Sequence, residues 1–263
     1  MRMHGTMAGV ALALLLPAAA AAQAPDFTWH GTLAAGKTLA IRNVNGRIDA
    51  TPASGNTIEV TAVKHEGRRG DPDEVRVEAV EGADGVTICA VYPTPRRARE
   101  ENRCGPGDDY QMSTQNNDTQ VLFTVKVPAG VRLDASTVNG GVRVEGLRGD
   151  AEVHSVNGDV SVDASGVVAA STVNGSIEAS MGRADWSGSL EFETVNGGIT
   201  ITAPASLSTE IDAETVNGSI DSDFPITVRG RMERRHLRGT IGQGGRRLEL
   251  QTVNGGIRLR KTG

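Results

Sequence analysis

Aromatic side chains are scarce in this sequence, which has four Phe, two Trp and two Tyr among 263 residues. Ligand clefts are lined largely by hydrophobic and aromatic side chains, so the chain offers few platforms on which sugar rings could stack. This scarcity counts against glycan cleavage and against strong lectin behaviour.

The sequence also lacks the usual signatures of catalysis. It contains no G-x-S-x-G elbow, H-E-x-x-H helix, P-loop or G-x-G-x-x-G fingerprint. Gly242-Gln-Gly244 comes nearest to the last of these, but Arg247 stands at its third glycine position. We therefore predict no catalytic residue, no cofactor site and no metal site. Beyond His4, near the start of the chain, the histidines are scattered singly, at His30, His65, His154 and His236.

Cysteine is limited to Cys89 and Cys104, which enclose a polar stretch rich in Arg, Pro and Gly. The pair lacks C-x-x-C spacing and has no nearby histidine, which counts against a redox or metal role. In an exported protein such a pair most often forms a disulfide. Closing a loop of this size is worth about 3 kcal/mol in the chain-entropy model.

Long apolar runs are confined to the first residues. Arg2 and His4 precede an apolar run from Met7 to Leu16 and an alanine tract, an order typical of a secretory signal. Cleavage after Ala22 is favoured over cleavage after Ala24, which would leave Pro25 beside the scissile bond. Residues 1–22 are thus predicted as a signal peptide. We expect export to the periplasm or surface of a bacterium, with no transmembrane segment in the mature chain.

Positive charge is in deficit. Removing residues 1–22 deletes only Arg2 among the charged residues, so 26 Lys and Arg face 32 Asp and Glu, a net charge of −6. This balance argues against general affinity for nucleic acid.

What the chain has in abundance is glycine, 33 residues, and a repeated Val-Asn-Gly tripeptide. From Val138 onward the copies follow each other at spacings of 18, 17, 22, 21 and 37 residues, and Ser or Thr precedes every copy except the first, which follows Asn43. A fixed period near 20 is typical of a solenoid. The seven asparagines are Asn45, Asn139, Asn157, Asn174, Asn196, Asn217 and Asn254.

Apolar residues recur at fixed offsets around each copy and alternate as in half-buried strands. Leu190 and Phe192 are two apart, but Phe192 and Val195 are three apart, which predicts a corner at Glu193 and Thr194. The motif valines would then point inward, and Val195→Asp should unfold or strongly destabilise the protein. Asn-Gly would bend the chain at positive φ. Equivalent asparagines would form a hydrogen-bonded ladder.

The alternative is that each Asn-Gly is the two-residue loop of an antiparallel hairpin, giving a meander or barrel. That geometry would place Val195 on the outer face beside Gly198, where a recurrent valine has no purpose. We therefore favour an all-β, β-helix-like solenoid with Val-Asn-Gly turns about every 20 residues.

The motifs resemble a bacterial family of β-strand repeat proteins called "putative adhesins", formerly a domain of unknown function. The resemblance is carried by Val127-Pro-Ala-Gly-Val131, by Ser136-Thr-Val-Asn-Gly-Gly-Val142 and by the ending Leu248-Glu-Leu-Gln-Thr-Val-Asn-Gly-Gly-Ile-Arg-Leu259. It implies a β-helix-like solenoid in the cell envelope, and it carries over no catalytic residue.

The sequence divides into three parts. After the signal peptide, residues 23–130 form a β-rich N-terminal region, either early coils or a separate cap, with a disulfide-tethered loop at 93–118. Residues 131–263 form the repeat solenoid, with an insertion at 224–247. That insertion holds a basic patch, either a partner-binding surface or a solvated segment. The patch consists of Arg229, Arg231, Arg234, Arg235 and Arg238.

Two functions remain open on the sequence. The first is a non-catalytic, adhesin-like or scaffold protein of the cell envelope, binding an unidentified partner: a protein, a glycan or an anionic lipid headgroup. The second is a polysaccharide lyase or hydrolase, by analogy with β-helix enzymes that cleave acidic polysaccharides.

Overall fold

A computed structural model describes residues 24–228 and 235–262 of the chain. The predicted signal peptide at 1–22 lies outside the described residues. Within them the chain forms 21 β-strands and two short 3-10 turns, Pro72–Glu74 and Gly107–Asp109.

The first nine strands lie in the N-terminal part and the first complete coil: β1 (Phe27–Gly31), β2 (Thr38–Arg42), β3 (Ile48–Pro52), β4 (Ile58–His65), β5 (Arg76–Gly82), β6 (Gly85–Val91), β7 (Gln120–Val127), β8 (Arg132–Ser136) and β9 (Val142–Leu147). The others are β10 (Ala151–His154), β11 (Val160–Ala164), β12 (Val168–Ser171), β13 (Ile177–Met181), β14 (Ser189–Asn196), β15 (Ile199–Ala203), β16 (Thr209–Asn217), β17 (Ile220–Ser222), β18 (Ile226–Val228), β19 (His236–Ile241), β20 (Arg247–Asn254) and β21 (Ile257–Lys261).

These strands form two sheets that face each other. Sheet A has the order β1-β4-β7-β3-β9-β11-β13-β15-β21-β17, and sheet B has the order β18-β19-β16-β20-β14-β12-β10-β8-β2-β6-β5. Successive coils pair in parallel in both sheets, for example β10 with β12 and β11 with β13. The predicted all-β solenoid is confirmed, and the antiparallel hairpins of the alternative do not form at the Val-Asn-Gly turns.

Each coil passes once through each sheet. The coil that begins at β10 runs through sheet B, turns at Val156-Asn157-Gly158, crosses sheet A as β11 and returns to sheet B as β12. From β8 to β15 the chain therefore advances by one strand spacing, about 4.8 Å, with every coil.

The core between the sheets is narrow because its side chains are small. Inward positions in the middle coils are Val, Ile and Ala, such as Val153, Ala170 and Ala179, each 2% exposed or less. Phe192 is the only aromatic residue among the fully buried side chains of the repeat region described here. Such a core needs few aromatic rings, which accounts for their scarcity in the sequence.

The residue before the motif valine, rather than the valine itself, points into the molecule. Thr194 is 1% exposed, and its hydroxyl donates to the Gly175 carbonyl of the neighbouring coil at 2.8 Å. The equivalent Ser or Thr makes the same bond in the other five coils that have one: Thr137, Ser155, Thr172, Thr215 and Thr252, at 2.8 to 3.0 Å. The preference for Ser or Thr before the tripeptide is therefore a hydrogen-bonding requirement.

Asn43, which replaces Ser or Thr in the first copy, has a related role. It is 2% exposed, and its side-chain amide donates to Gly46 O at 3.0 Å and to Val121 O at 2.8 Å. The coil next to it is formed by β7, which follows no Val-Asn-Gly turn. A longer side chain with two donors can satisfy both carbonyls at that position.

The motif asparagines form an unbroken ladder along the solenoid axis. The side-chain nitrogen of every asparagine after Asn45 donates to the side-chain oxygen of the asparagine before it in the ladder, at 2.8 to 2.9 Å. The spatial order of the ladder is Asn45, Asn139, Asn157, Asn174, Asn196, Asn254 and Asn217.

The motif glycines are required by close contact between coils, and the expectation of positive φ at Asn-Gly is wrong for all copies but the first. Gly46 has φ of 119°, whereas the other six motif glycines and all the motif asparagines lie outside the left-handed region. A Cβ placed on Gly175 would lie 2.2 Å from Gly158 O, and one on Gly197 would lie 1.9 Å from Gly175 O. Any side chain at these positions would push adjacent coils apart.

The expectation that the motif valines stack in the core is also wrong. Val138, Val156, Val173, Val216 and Val253 are 38% to 48% exposed, and Val195 is half-buried. Strand β14 continues through the predicted corner at Glu193 and Thr194, with Leu190, Phe192 and Thr194 all inward. The change in parity occurs after Thr194, within Val-Asn-Gly itself. Only Val44 is buried, at 7% exposure.

The last two coils are interchanged relative to the chain. Strand β20 pairs on one side with β14 and on the other with β16, although β16 precedes it in the sequence. The predicted insertion at 224–247 supplies this detour: β18 and β19 pair antiparallel, and β19 covers the outer edge of β16. The C-terminal coil then returns inward, between its two predecessors.

The N-terminal region is continuous with the repeats through both sheets. Strand β2 pairs in parallel with β8, and β3 pairs in parallel with β9. Antiparallel strands then close this end: β4 lies against β7 in sheet A, and β5 against β6 in sheet B. Covering the last parallel strands in this way limits the unpaired edges that promote aggregation.

We predict that Gly175→Ala destabilises the protein by about 1–3 kcal/mol, because its methyl group would overlap the Gly158 carbonyl. Gly55→Ala is the matched control. A methyl group on Gly55 would have no atom within 4 Å, and this residue has no positive φ, so alanine there should stabilise by about 0.4–1 kcal/mol. Urea unfolding of both variants measures the difference, and equal midpoints would contradict the close-contact explanation.

We predict that Phe192→Ala lowers the free energy of unfolding by about 3–5 kcal/mol, because it leaves a cavity in a narrow core. Val173→Ala, on the exposed side of a turn, should change it by no more than about 0.5 kcal/mol. Chemical denaturation checks both. A large loss for Val173→Ala would show that the motif valines contribute to the core after all.

Candidate functional site

A groove of about 610 Å³ lies on the outer face of sheet B, over β8, β10, β12 and β14. Its floor is low because β12 presents small residues outward. Ala169 lies between Glu152 and Glu191 on the flanking strands, and Ser171 lies between His154 and Glu193. Larger side chains on both sides of β12 therefore enclose a depression.

One wall of the groove is the connection at residues 182–188, which is longer than the three-residue return between β11 and β12. Trp186 anchors it: this side chain is 7% exposed, and its ring nitrogen donates to Arg247 O at 3.1 Å. The Arg246 guanidinium in turn donates to Trp186 O. The buried ring fixes the wall to the start of β20 and is not free to stack on a ligand.

The rim of this wall is held by an ion pair. Arg183 donates to both carboxylate oxygens of Asp185, at 2.9 and 3.1 Å, and lies 3.7 Å from Asp150. The hydrogen bonds from Arg183 hold the pKa of the Asp185 carboxyl below its usual value, and the same contact raises the pKa of Arg183. Asp150 also accepts from Val167 N at 2.8 Å, which orders the return connection on the floor side.

A chain of polar contacts crosses the floor. His154 Nδ1 lies 2.7 Å from Ser171 Oγ, and His154 Nε2 lies 3.3 Å from Glu152 Oε1. Arg132 forms an ion pair with the same Glu152 carboxylate. About 45% of the His154 side chain is exposed, so the imidazole is accessible from the groove.

The groove is acidic. Its lining includes five carboxylates, Asp150, Glu152, Asp185, Glu191 and Glu193, against two guanidinium groups, Arg132 and Arg183. The formal charge of these seven side chains is −3. Within 24–228 and 235–262, the side-chain carboxylates of Glu191 and Glu193 have no hydrogen-bond or ion-pair partner. These two carboxylates are therefore available to donors on a ligand.

The residues predicted from the sequence lie elsewhere. Cys89 and Cys104 are joined by a disulfide, with their Cα atoms 5.6 Å apart, and this bond holds the 93–118 loop against β6. The loop is further attached through Tyr92, whose hydroxyl donates to Thr119 O at 2.7 Å. Burial raises the pKa of Tyr92 to about 12.

The predicted basic patch is described only in part, because Arg229, Arg231 and Arg234 lie outside the described residues. Arg235 is exposed, and its carbonyl accepts from Thr215 N at 2.8 Å. Arg238 pairs with Asp212 at 2.8 Å, and His236 lies 2.9 Å from the same carboxylate. Asp212 thus offsets part of the charge of this surface.

Among the residues that the structure describes, no group of three or more His, Cys, Asp or Glu side chains is arranged to hold a metal ion. The described part of the chain also has no helix with the length and apolar character needed to cross a membrane.

Sequence reasoning missed the groove, although a signal for its floor was present. His154, Ser171 and Glu193 each stand two residues before a motif valine. Aligning the copies on that valine places the three side chains in one row of adjacent strands, as the register has them. The wall carries no such signal, because residues 182–188 have no counterpart in the other coils.

Comparison with known proteins identifies the architecture. A family model described as "Toastrack DUF4097" matches residues 33–260. No curated protein matches the sequence. Among solved structures, a "putative cell adhesion protein" from Clostridium sporogenes ATCC 15579 is 12% identical, with a TM-score of 0.44, over 90% of this chain and 99% of that one. A "putative adhesin" from Bacteroides fragilis NCTC 9343 is also 12% identical, with a TM-score of 0.31, over 90% of this chain and 96% of that one.

We predict that Arg183→Gln raises the pKa of the Asp185 carboxyl toward its ordinary value, because the variant loses the charged donor that lowers it. A carboxyl group whose pKa is lower in the folded state than in the unfolded state adds to the stability of the protein at pH values above its unfolded-state pKa. This contribution disappears as the pH falls through the folded-state pKa. In Arg183→Gln that acid-dependent contribution should be reduced.

An NMR titration of the Asp185 side-chain carboxyl carbon measures the shift. Arg143→Gln is the control, since Arg143 pairs with Glu145 on the other sheet and should leave Asp185 unaffected. An unchanged Asp185 titration in Arg183→Gln would show that the ion pair does not form in solution.

Proposed function

The chain belongs to the Toastrack DUF4097 family, and from this premise we propose that it is a non-catalytic, exported protein of the bacterial cell envelope that binds a glycan in the groove of sheet B. Family membership accounts for the architecture but does not identify a ligand. The ligand is therefore proposed from the groove itself.

The observation that carries the proposal is a concave, acidic surface with two carboxylates left without partners among the described residues. Carboxylates that lack internal partners can accept hydrogen bonds from a ligand without first breaking a contact within the protein. Charged acceptors make stronger hydrogen bonds than neutral ones. The groove thus favours a ligand that carries several donors, and the donors of a glycan are its hydroxyl and amino groups.

The formal charge of the groove also selects among partners. A charge of −3 repels an anionic lipid headgroup and an acidic glycan, and attracts a glycan that carries protonated amino groups. We therefore propose an amino-sugar-containing chain as the ligand class. The buried state of Trp186 is consistent with recognition by hydrogen bonds rather than by ring stacking.

Rigidity supports a binding role. The floor strands belong to a sheet whose coils are joined by parallel backbone ladders and by the asparagine ladder. A site built on sheet strands is held more precisely than one built on loops, and little freedom is lost when a ligand binds.

Export is supported by two features. A signal-like segment precedes the fold, and the disulfide between Cys89 and Cys104 is typical of oxidising compartments outside the cytoplasm. We propose the periplasm or the cell surface as the location.

A second candidate function rests on the contacts of His154. Ser171, His154 and Glu152 form a hydrogen-bonded series of nucleophile, base and acid types. In that mechanism Ser171 Oγ attacks the carbonyl carbon of an acyl ester on a polysaccharide while His154 takes its proton. The ester C–O bond breaks, the sugar hydroxyl leaves with the proton from His154, and water then hydrolyses the acyl-serine. Because this series lies on an open sheet face and His154 is nearly half exposed, we favour binding over hydrolysis.

We predict that chitosan oligosaccharides bind the folded protein and that Glu191→Gln with Glu193→Gln weakens the affinity about tenfold or more for each carboxylate. Glu178→Gln, which removes a carboxylate from the outer face of sheet A, should leave the affinity unchanged. Titration calorimetry at low and physiological salt measures both. Equal affinity in the groove and control variants would refute the groove as the binding site.

The same preparation, assayed on acidic and amino-sugar polysaccharides for new reducing ends, unsaturated products or released acyl groups, separates the two functions. We expect no turnover. Turnover that is abolished by Ser171→Ala while the protein remains folded would establish the hydrolytic function in place of the non-catalytic one.

A further inference from the structure

The seven Asn-Gly dipeptides are chemically reactive as well as structural. In such a dipeptide the backbone nitrogen of glycine can attack the side-chain carbonyl carbon of asparagine, because glycine has no side chain to hinder the approach. The attack needs a backbone nitrogen that is free to rotate toward the side chain. The reaction is therefore suppressed where this nitrogen donates a hydrogen bond to a carbonyl of the neighbouring coil.

Six of the seven glycine nitrogens are engaged in this way. Each donates to the asparagine carbonyl of the next coil at 2.8 to 3.2 Å. These donors are the backbone nitrogens of Gly46, Gly140, Gly158, Gly175, Gly197 and Gly255.

Gly218 is the exception. Among residues 24–228 and 235–262, no acceptor takes a hydrogen bond from its backbone nitrogen. It is also the only one of the seven motif glycines that is exposed, since Gly46 is buried and the other five are half-buried. Its partner Asn217 is exposed as well and donates to Asn254 at 2.9 Å, and its own side-chain oxygen accepts nothing from the described residues.

The interchange of the last two coils produces this exception. Because β20 enters between β14 and β16, the Asn217 coil becomes the end of the ladder even though it is not the last in the sequence. Each motif glycine donates toward the coil beyond it, and beyond Asn217 the described chain has no further Val-Asn-Gly coil. The other end differs, because Gly46 N is bonded to Asn139 O at 2.8 Å.

We propose that Asn217 is a selective site of spontaneous deamidation, a modification that the fold suppresses at the other six copies. The Gly218 nitrogen attacks Asn217 Cγ, the new C–N bond closes a five-membered succinimide, and the Cγ–Nδ2 bond breaks with release of ammonia. The glycine nitrogen loses its proton to solvent, and the departing –NH2 group takes up one proton to leave as ammonia. Water then opens either imide carbonyl, which yields aspartate or isoaspartate at position 217.

The product changes the end of the ladder. Aspartate or isoaspartate has no side-chain N–H, so it cannot donate to Asn254 Oδ1, and two acceptors would face each other where a 2.9 Å hydrogen bond now stands. It also adds one negative charge to the end of the solenoid. Isoaspartate, in addition, lengthens the backbone by one atom at a turn where Gly218 has no room for a Cβ against Gly255 O.

The experiment incubates the folded, disulfide-intact protein at mildly alkaline pH and follows each Asn-Gly by peptide mass spectrometry after a rapid digest at mildly acidic pH. We expect Asn217 to deamidate about tenfold or more faster than Asn157 and Asn174. Equal rates at the seven positions, or slower reaction at Asn217 than at the ladder interior, would overturn the proposal.

Two controls tie the selectivity to the fold. In urea with the disulfide reduced, the seven dipeptides share the same local sequence, Val-Asn-Gly, so their rates should converge. Asn217→Ser should remove the fast phase and leave the other six positions unchanged. Selectivity that persists in the unfolded chain would show that neighbouring residues, and not the hydrogen bond missing at Gly218, determine the rate.

Discussion

The spacing between successive coils is the constraint on which the rest of the structure depends. Parallel strands lie about 4.8 Å apart, so every turn must place equivalent atoms at that distance from the turn before it. Asparagine amides can bridge it, as the 2.8 to 2.9 Å ladder bonds show. Glycine is needed because a Cβ would lie about 2 Å from the neighbouring carbonyl. The Ser or Thr hydroxyl then satisfies that carbonyl from inside.

Much of the fold could be predicted from these repeats, and the errors have a common cause. The alternation of apolar residues locates strands well: Leu190 and Phe192, two residues apart in the sequence, both point inward from β14. A change of parity, however, shows only that a corner exists. If Phe192 and Val195 both point inward, the corner lies before the valine, whereas if Phe192 and Thr194 both point inward, it lies after Thr194. The sequence pattern does not separate the two cases, because a threonine whose hydroxyl bonds a backbone carbonyl is as well buried as an apolar side chain.

The spatial order of the coils could not be predicted from the sequence, for a different reason. The repeat identifies each coil but contains no information about which coils are neighbours, and chain order is only a default. The 37-residue spacing before Val253 indicates an insertion. It does not indicate that the insertion carries the chain past the edge of β16 and back to pair β20 with β14. The floor of the candidate site could be predicted from the sequence, because aligning the copies on the motif valine places its side chains in one row. The wall at 182–188 comes from residues that match nothing else in the chain.

The two chemically distinct features of this molecule, the groove and the exposed end of the asparagine ladder, therefore lie where the repeat is irregular. A perfectly regular solenoid would present the same row of side chains at every coil, with no concavity and no privileged end. The groove exists because one return connection is long and one strand carries small outward residues, Ala169 and Ser171. The exposed end of the ladder exists because the C-terminal coil inserts one place early. Strands β14 and β16 both pair with β20 and not with each other, so the ladder becomes continuous only when the last coil has been added. The regular part supplies rigidity, and the irregular part supplies the groove that we propose as the binding surface.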